Sequence, residues 1–311
     1  MAVYAHANVG RSGLCNMLIP WARAEVFARE RSVPMIAPQW VQPKIGPLLR
    51  GETDLRYYTG LFSNQGYVRG LRRLCLLGIG KRLDGDALEP GEDVHSHGRP
   101  AIVAFSGLRN YLRGLGAYSD YLRGRLWDIT SQTVRNQVEE QEAIIDLAVH
   151  IRRGDMPVWE GEGDVPNCHS LPSSWFEQVI VSIREAAGRD LHVRVFSDAR
   201  SGRLEDILAL PGVERSPMDN TVLADLWLMS EARMLVTTGT STLSAWASFL
   251  GGMPSVWCKG WLGEHTDHQA QHVETGPGGE IGEDELRALG AVLADEQRGS
   301  PRSRTSVRAE G

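Results

Sequence analysis

The sequence has few cysteines and lacks long apolar segments. Its four cysteines are far apart and form no C-x-x-C pair, which favours reduced thiols over a disulfide framework. No apolar run reaches the length of a membrane span, and the N-terminus lacks the basic, apolar and small-residue order of a signal peptide. We therefore expect a cytoplasmic protein with no integral membrane span.

The chain also has no excess of positive charge, and its aromatic residues are few. The formal net charge is −6, only 7% of the residues are aromatic, and no basic stripe is interleaved with aromatic side chains. A platform for stacking bases is therefore missing, so we expect no nucleic-acid partner. With 311 residues, of which 42% are hydrophobic and 23% charged, the chain is long enough for two domains with separate cores.

The most informative segment is an apolar run over 147–151 that ends in two arginines. Arg152 and Arg153 follow this run directly, and Gly154 and Asp155 come next. A short apolar run bounded by a turn predicts a buried strand, and ligands of α/β sheets bind outside the carboxyl ends of strands. A guanidinium binds phosphate bidentately and stabilises the charge that grows on a departing diphosphate. The segment therefore indicates sugar transfer from a nucleotide donor.

These arginines have two other possible roles. Adjacent arginines after a strand are often solvated or form ordinary ion pairs. In addition, Arg153-Gly154-Asp155 spells the tripeptide that cell-surface receptors bind in adhesive proteins. That function needs an exposed loop tip, whereas the tripeptide here directly follows an apolar strand. We therefore favour an enzyme over an adhesive module.

The N-terminus has the order of a strand, a glycine loop and a helix. Residues 2–7 are mostly apolar, Gly10 and Gly13 follow, and apolar residues then recur at helical spacing over 14–30. Free N–H groups at the start of such a helix can bind an anion, and glycines let the backbone approach it closely.

Strand and helix patterns alternate along the rest of the chain, which predicts mostly parallel sheets. We expect one domain over 1–145, a second over 146–297, and a disordered basic tail over 298–311. The predicted strands are 35–36, 102–105, 148–151, 191–196, 234–236 and 254–257, and the predicted helices are 118–126, 130–142, 173–187, 204–208, 222–229, 243–250 and 283–296.

Four sequence blocks, in the same order, resemble those of a known family. Residues 13–18 resemble a G-x-G-N-Q opening, and 150–155 match H-x-R-R-G-D. Residues 195–198 look like an F-S-D strand end, and 225–250 are similar to D-L-x-L-M-S followed by N-S-T-F-S-W-W. The chain thus resembles the bacterial α-1,2-fucosyltransferases and, more distantly, the α-1,6- and protein O-fucosyltransferases.

The resemblance implies an α/β protein of the GT-B type, with two Rossmann-like domains and mostly parallel sheets. It also implies a GDP-sugar donor held mainly by the second domain, a glycan or other hydroxyl acceptor, and inversion at the anomeric carbon. Neither a metal nor another cofactor is expected. These expectations agree with the arginines at the end of the 147–151 strand.

The same resemblance implies roles for individual residues. Arg152 or Arg153 is expected to bind the β-phosphate, His150 to lie beside the diphosphate, and Asp198 to accept hydrogen bonds from guanine. The other implied donor-side residues are Ser197 at the strand end, Thr240, Ser241 and Thr242 around the phosphate, and Gly13 with Asn16 from the first domain.

The general base has two candidates. An inverting transfer needs a carboxylate or histidine within hydrogen-bond reach of the acceptor hydroxyl. Glu160 lies seven residues after Arg153, the offset of the base in the α-1,6-fucosyltransferases, and Asp155 is the competitor.

Several residues depart from the family pattern. Cys15 and Met17 replace the usual Gly and Gln, and Thr240, Leu243 and Ala245 replace Asn, Phe and Trp. These changes leave the phosphate chemistry intact but affect sugar and acceptor contacts, so we expect fucose or a related sugar. The alternatives are a transferase for another nucleotide sugar, and a non-catalytic nucleotide- or sugar-binding protein on the same fold.

Two motifs suggest metals. Asp84 and Asp86 form a D-x-D, the signature of rival metal-dependent transferases, in what we interpret as an acidic surface loop. His265, His268 and His272 are spaced to share one side of a helix, which suggests zinc, but their neighbours are those of a polar surface segment. We expect no metal at either motif.

Overall fold

The computed structural model describes residues 2–41, 57–89, 92, 94, 98–141, 144–154, 156–161, 169–199, 202–239, 241–258 and 271–294. Asp155, Thr240 and the predicted tail over 298–311 lie outside the described residues. Backbone proximity divides the chain into two compact units, one within 1–134 and the other within 135–303. The boundary at 145/146 stays a prediction.

The first unit is built on a four-stranded parallel sheet. Its strands are β1 (Val3–Asn8), β2 (Met35–Ile36), β3 (Lys81–Asp84) and β4 (Ala101–Ser106), and their order is β2-β1-β4-β3. The central strands β1 and β4 are mostly buried, whereas the edge strand β3 is mostly exposed. Buried apolar runs therefore occupy the middle of the sheet, as parallel sheets require.

Helices surround this sheet. The first, α1 (Leu14–Glu30), follows β1 and is buried along most of its length. The others are α2 (Gly70–Ile79) and α3 (Ser119–Ile129), with short 3₁₀ helices at Gly85–Ala87 and Gly116–Tyr118. A further helix, α4 (Gln132–Glu139), crosses the boundary between the two units.

The second unit is built on a six-stranded sheet that is also parallel throughout. The sheet order is β10-β9-β8-β5-β6-β7. The strands are β5 (Leu147–Ile151), β6 (Val193–Ser197), β7 (Val213–Arg215), β8 (Met234–Thr237), β9 (Ser255–Cys258) and β10 (His272–Thr275).

This strand order creates a topological switch point. Counted from β5 as strand one, the order is 3-2-1-4-5-6, with β5 and β8 adjacent at the centre. The chain leaves β5 toward one edge of the sheet and leaves β8 toward the other. Open sheets of this kind bind ligands in the crevice at the carboxyl ends of the two central strands.

The helices of the second unit cover a core of buried apolar side chains. Trp175, Phe176 and Ile180 of one helix pack with Val149 of β5, which fixes the central strand against the helix layer. The helices are α5 (Ser173–Ala187), α6 (Glu205–Leu208), α7 (Val222–Glu231), α8 (Thr242–Gly251) and α9 (Glu283–Ala294).

The two parallel sheets confirm the α/β class and the alternation expected from the sequence. The patterns over 14–30 and 173–187 form helices with those same bounds. One interpretation was wrong, because His272 begins strand β10 and does not lie on a helix, while His265 and His268 lie outside the described residues. Within the described part of the chain, no helix is long and apolar enough to cross a membrane.

Candidate functional site

The carboxyl ends of β5, β6 and β8 carry most of the candidate residues. His150 lies in β5 and is followed by Arg152 and Arg153, while Ser197 ends β6. Ser241 follows β8 directly before helix α8. Because β5 pairs with both β6 and β8, these residues meet at the switch point of the sheet.

Asp198 fixes the loop that carries the arginines. Its Oδ1 atom accepts hydrogen bonds from the backbone N–H groups of Arg153, at 2.7 Å, and Gly154, at 2.8 Å. A Cβ atom on Gly154 would lie 2.7 Å from Oδ2 of Asp198, closer than real Cβ contacts allow. Only glycine therefore permits this approach of the loop to the carboxylate.

Further hydrogen bonds join the ends of β5 and β6. The Ser197 hydroxyl donates to the carbonyl of Ile151 at 2.5 Å and accepts from the N–H of Ala199 at 3.1 Å. Arg215, at the end of β7, donates to the carbonyl oxygens of Ser197 and Ala199. The loops after the two strands are thus held by side chains as well as by the sheet.

Arg153 points into the protein. Its side chain is only 4% exposed, and its guanidinium donates to the carbonyl oxygens of Arg203 and, at 3.2 Å, Leu171. Burial, with a smaller contribution from the charge of Arg203, lowers the pKa of Arg153. A cell-surface receptor cannot bind a buried guanidinium, so the adhesive interpretation of the tripeptide is wrong.

A cavity of about 340 Å³ lies beside Arg153. Arg203, Glu205 and Asp206 contribute to its wall, together with Ser173 at the start of α5. This wall carries both cationic and anionic groups, so the cavity suits a small polar group better than a free phosphate. It belongs entirely to the second unit.

His150 is buried and hydrogen-bonded through one ring nitrogen. Its Nδ1 atom lies 2.6 Å from Oγ of Ser244, which also accepts a hydrogen bond from the hydroxyl of Thr237. The pKa of His150 is lowered to about 4, mainly by burial; the charge of Asp198 acts in the opposite direction, and the charge of Arg152 acts in the same direction as burial. The imidazole is therefore neutral near pH 7.

The start of helix α8 provides a second polar region. Ser241 is the N-cap, and its hydroxyl accepts from the N–H of Leu243 at 3.3 Å, while Thr242 begins the helix. The hydroxyl of Thr238, directly after β8, is buried without a hydrogen-bond partner among the described residues. Helix N-termini attract anions, and a buried hydroxyl without a partner can serve a bound ligand.

Gly13 and Asn16 lie in the first unit, at the start of α1. Gly13 is the N-cap, and the N–H of Leu14 donates to the hydroxyl of Tyr58 at 2.9 Å. Oδ1 of Asn16 is buried and, in the described part of the structure, has no hydrogen-bond partner. Both residues therefore share a helix terminus in the first unit.

Glu160 is exposed in the segment 156–161. The neighbouring Trp159 holds this segment in place, because its backbone N–H donates a hydrogen bond to the backbone carbonyl of Ser170 at 2.8 Å. Glu160 follows the loop after β5 in the sequence. Asp155, the competing base, lies outside the described residues.

The D-x-D motif lies at the end of β3 and has partners within the first unit. Asp84 accepts a hydrogen bond from the N–H of Asp86 at 3.0 Å, and Asp86 forms an ion pair of 2.6 Å with Arg23. The backbone carbonyl of Asp86 also accepts from Arg109. Over the described residues, no group of three or more His, Cys, Asp or Glu side chains is arranged to hold a metal.

Sequence reasoning missed three side chains of this site. Thr237 and Ser244 hold His150, and Arg203 holds Arg153. Thr237 and Ser244 flank the predicted loop after β8, but no local pattern indicates a contact with a histidine 94 positions away from Ser244. Arg203 lies in a loop and matches none of the sequence blocks.

The comparisons with known proteins concern structure alone. No family model and no curated protein matches the sequence. POFUT1 in complex with GDP is 14% identical, over 82% of this chain and 98% of that chain, with a TM-score of 0.51. NodZ, a fucosyltransferase from Bradyrhizobium, is 14% identical, over 80% of this chain and 93% of that chain, with a TM-score of 0.48.

The chain has a GT-B α/β fold. This confirms the fold class expected from the sequence blocks. At this level of sequence identity the similarity concerns the fold alone.

Proposed function

We propose that this protein is an inverting glycosyltransferase that transfers fucose or a related sugar from a GDP-sugar to a hydroxyl acceptor without a metal. The observation that carries the proposal is the cationic loop after β5, held at the switch point of a six-stranded parallel sheet. Ligands of such sheets bind at this place, and a diphosphate needs positive charge there.

Arg152 is the residue we assign to the diphosphate. The sequence predicts Arg152 or Arg153 as the arginine that binds the diphosphate. In the structure, both terminal nitrogens of Arg153 donate to backbone carbonyls. Moving Arg153 to a ligand would leave those buried carbonyls unsatisfied. Arg152 follows directly on β5 and is only half-buried. Its guanidinium would bind the β-phosphate and stabilise the negative charge that develops as the sugar leaves.

The N-terminus of α8 supplies the second stabilising element. Helix α8 spans Thr242–Gly251, and its first N–H groups face the carboxyl end of β8. Together with the hydroxyls of Thr238 and Ser241, it would hold phosphate oxygens. A guanidinium and a helix N-terminus then replace the charge that a metal supplies in other transferases.

Asp198 is proposed to have two roles. Oδ1 holds the arginine loop, and the side chain as a whole is exposed at the end of β6. A carboxylate has further acceptor sites, so Oδ2 would accept from the N–H groups of guanine. Uracil offers no equivalent pair of donors, and this contact would favour GDP over UDP.

His150 would contact the donor through Nε2. Its Nδ1 atom faces Ser244, and among the described residues Nε2 has no hydrogen-bond partner. A neutral imidazole adds no charge beside Arg152, so the role of His150 is to orient the donor rather than to neutralise it.

The acceptor hydroxyl has to lose a proton when it attacks the anomeric carbon. We propose Glu160 as the general base, with Asp155 as the competing candidate. Its exposure suits a residue that receives an incoming glycan or other hydroxyl compound.

The proposal is tested by nucleotide binding followed by turnover. GDP should raise the thermal unfolding midpoint of the protein more than UDP does at equal concentration, because a ligand of the folded state stabilises it. A protein that binds GDP but never releases GDP from a GDP-sugar would be the non-catalytic alternative, and the proposed reaction would be wrong.

A further inference from the structure

Helix α2 (Gly70–Ile79) of the first unit presents an apolar face to solvent. Leu71 is 81% exposed, Leu74 61% and Ile79 57%. Cys75 and Gly78 lie between them and are also exposed. These five residues, which we call the outer face, recur at helical spacing and include no charged side chain. Solvent-facing sides of helices are normally polar, so the apolar outer face of this helix is unusual.

The opposite side of α2 already attaches the helix to the sheet. Leu76 is buried and belongs to an apolar cluster with Tyr4 of β1 and Ile102 of β4, and Leu77 packs against that cluster. The outer face is therefore not needed to hold the helix in place. Apolar patches that a fold does not require mark interaction surfaces.

Five cations lie on α2 or directly beside it in the sequence: Arg69, Arg72, Arg73, Lys81 and Arg82. Residues 55–83 contain no Asp or Glu, although the whole chain has a net charge of −6. Among the described residues these cations form no ion pair. Their hydrogen-bond partners are neutral: the Tyr4 hydroxyl for Arg72, the Ala37 carbonyl for Arg73 and the Leu77 carbonyl for Arg82.

The positive potential of this cluster acts on a neighbouring histidine. The pKa of His6 in β1 is lowered to about 4, first by burial and then by the charges of Arg73 and Arg82. The two guanidinium groups thus lie close enough to β1 to repel a proton, as expected of cations that no carboxylate compensates.

We propose that the outer face of α2 and its five cations dock the protein onto a membrane surface of anionic phospholipid. The leucines and Ile79 would insert at the headgroup boundary, while the arginines and Lys81 would bind lipid phosphates. A second copy of the chain is a poor occupant, because a two-fold contact through this face would bring the same five cations against each other. The surface lies in the first unit and is independent of the proposed reaction.

Vesicle co-sedimentation tests this proposal. The full-length protein should bind vesicles that contain phosphatidylglycerol, bind pure phosphatidylcholine vesicles much less, and lose binding as salt is raised. Leu71→Ser combined with Leu74→Ser should lower the partition coefficient at least tenfold. Lys81→Gln combined with Arg82→Gln should lower it about fivefold per charge.

Controls come from the second unit. Met218→Ser removes an exposed apolar side chain, and Arg287→Gln removes an exposed cation; neither should change partitioning. All changes are on the surface, so each variant should keep the wild-type unfolding midpoint. Absence of binding to anionic vesicles, or equal binding to neutral ones, would overturn the proposal. So would concentration-dependent self-association that the leucine variant abolishes, because the face would then bind protein.

Discussion

Arg153 and Arg203 each donate a guanidinium hydrogen bond to the backbone carbonyl oxygen of the other. The second of these bonds is 3.0 Å long. This reciprocal contact ties the loop after β5 to the loop after β6, and Asp198 ties the same loops through its carboxylate. Arg153 therefore has a structural role in joining these loops, and Arg152 is the arginine that we propose for the diphosphate.

The first prediction distinguishes the role of Arg152 from that of Arg153. Arg152→Ala should lower turnover about a hundredfold while the unfolding midpoint stays near that of the wild type, because it removes a contact that strengthens as the diphosphate leaves. Arg153→Ala should instead lower the free energy of unfolding by on the order of 2 kcal/mol, since the carbonyls of Leu171 and Arg203 lose their donor. Donor turnover and thermal unfolding, measured on both variants, check this.

Arg113→Ala is the control, since this exposed arginine lies in the first unit. If Arg152→Ala kept wild-type turnover, or if Arg153→Ala were as stable as the wild type, the assignment of the two arginines would be wrong.

The second prediction concerns Asp198. Asp198→Asn keeps an Oδ1 acceptor for the N–H groups of Arg153 and Gly154, so it should preserve stability. Its amide, however, presents donors to guanine, and GDP binding should weaken much more than UDP binding. Asp198→Ala should lose both stability and discrimination. Calorimetric titration with GDP and UDP, beside thermal unfolding, distinguishes the roles; unchanged GDP preference in Asp198→Asn would exclude guanine recognition by this residue.

The third prediction follows from the buried imidazole of His150. The pKa of His150 is about 4 in the folded protein, whereas the ordinary value is 6.5. As pH falls from 6.5 to 4, the unfolded chain takes up a proton that the folded protein excludes, so the free energy of unfolding falls. The expected loss is on the order of 3 kcal/mol.

Other groups titrate in this window, so a variant is needed. Burial raises the pKa of Asp225 to about 6, and this group has the opposite effect, destabilising the fold as pH rises. The stability of wild type relative to His150→Gln should therefore decrease as pH falls, because only His150 differs. Urea unfolding at several pH values measures this. A constant difference, or a His150 ring resonance that titrates near pH 6.5 by NMR, would contradict it.

The fourth prediction is that chelation leaves activity intact. Asp84 caps the 3₁₀ helix at Gly85–Ala87, and Asp86 is paired with Arg23. Asp84→Asn keeps the capping oxygen, so neither EDTA nor this variant should change turnover. Asp86→Asn should lower stability, because it weakens the partly buried ion pair with Arg23. Loss of activity in EDTA, restored by manganese, would instead make the D-x-D the diphosphate site.

Much of the fold was predictable because its central elements have strong periodicity. Strand β5 is apolar except for His150, and α5 carries apolar residues at helical spacing, so both were expected. The strands β3, β7 and β10 were missed because they are short and contain charged or polar residues. Such strands lie at sheet edges, where pairing with a neighbour rather than apolar pattern decides the conformation.

The site was only partly predictable for a related reason. A strand followed by arginines predicted a place for the proposed donor, but the sequence could not distinguish Arg152 from Arg153. That distinction depends on Leu171 and Arg203, whose carbonyls reach Arg153 only after the chain folds. Likewise, the neutral state of His150 depends on burial and its hydrogen bond on Ser244, and neither is visible in local spacing.

The most direct test of the account is release of GDP from GDP-fucose by purified protein in the presence of EDTA, without acceptor. The wild type should release GDP slowly and leave UDP-glucose untouched, Arg152→Ala should be about a hundredfold slower, and Arg113→Ala should match the wild type. If the wild type binds GDP but releases none from the donor, or if it consumes UDP-glucose in preference, the proposed reaction is wrong.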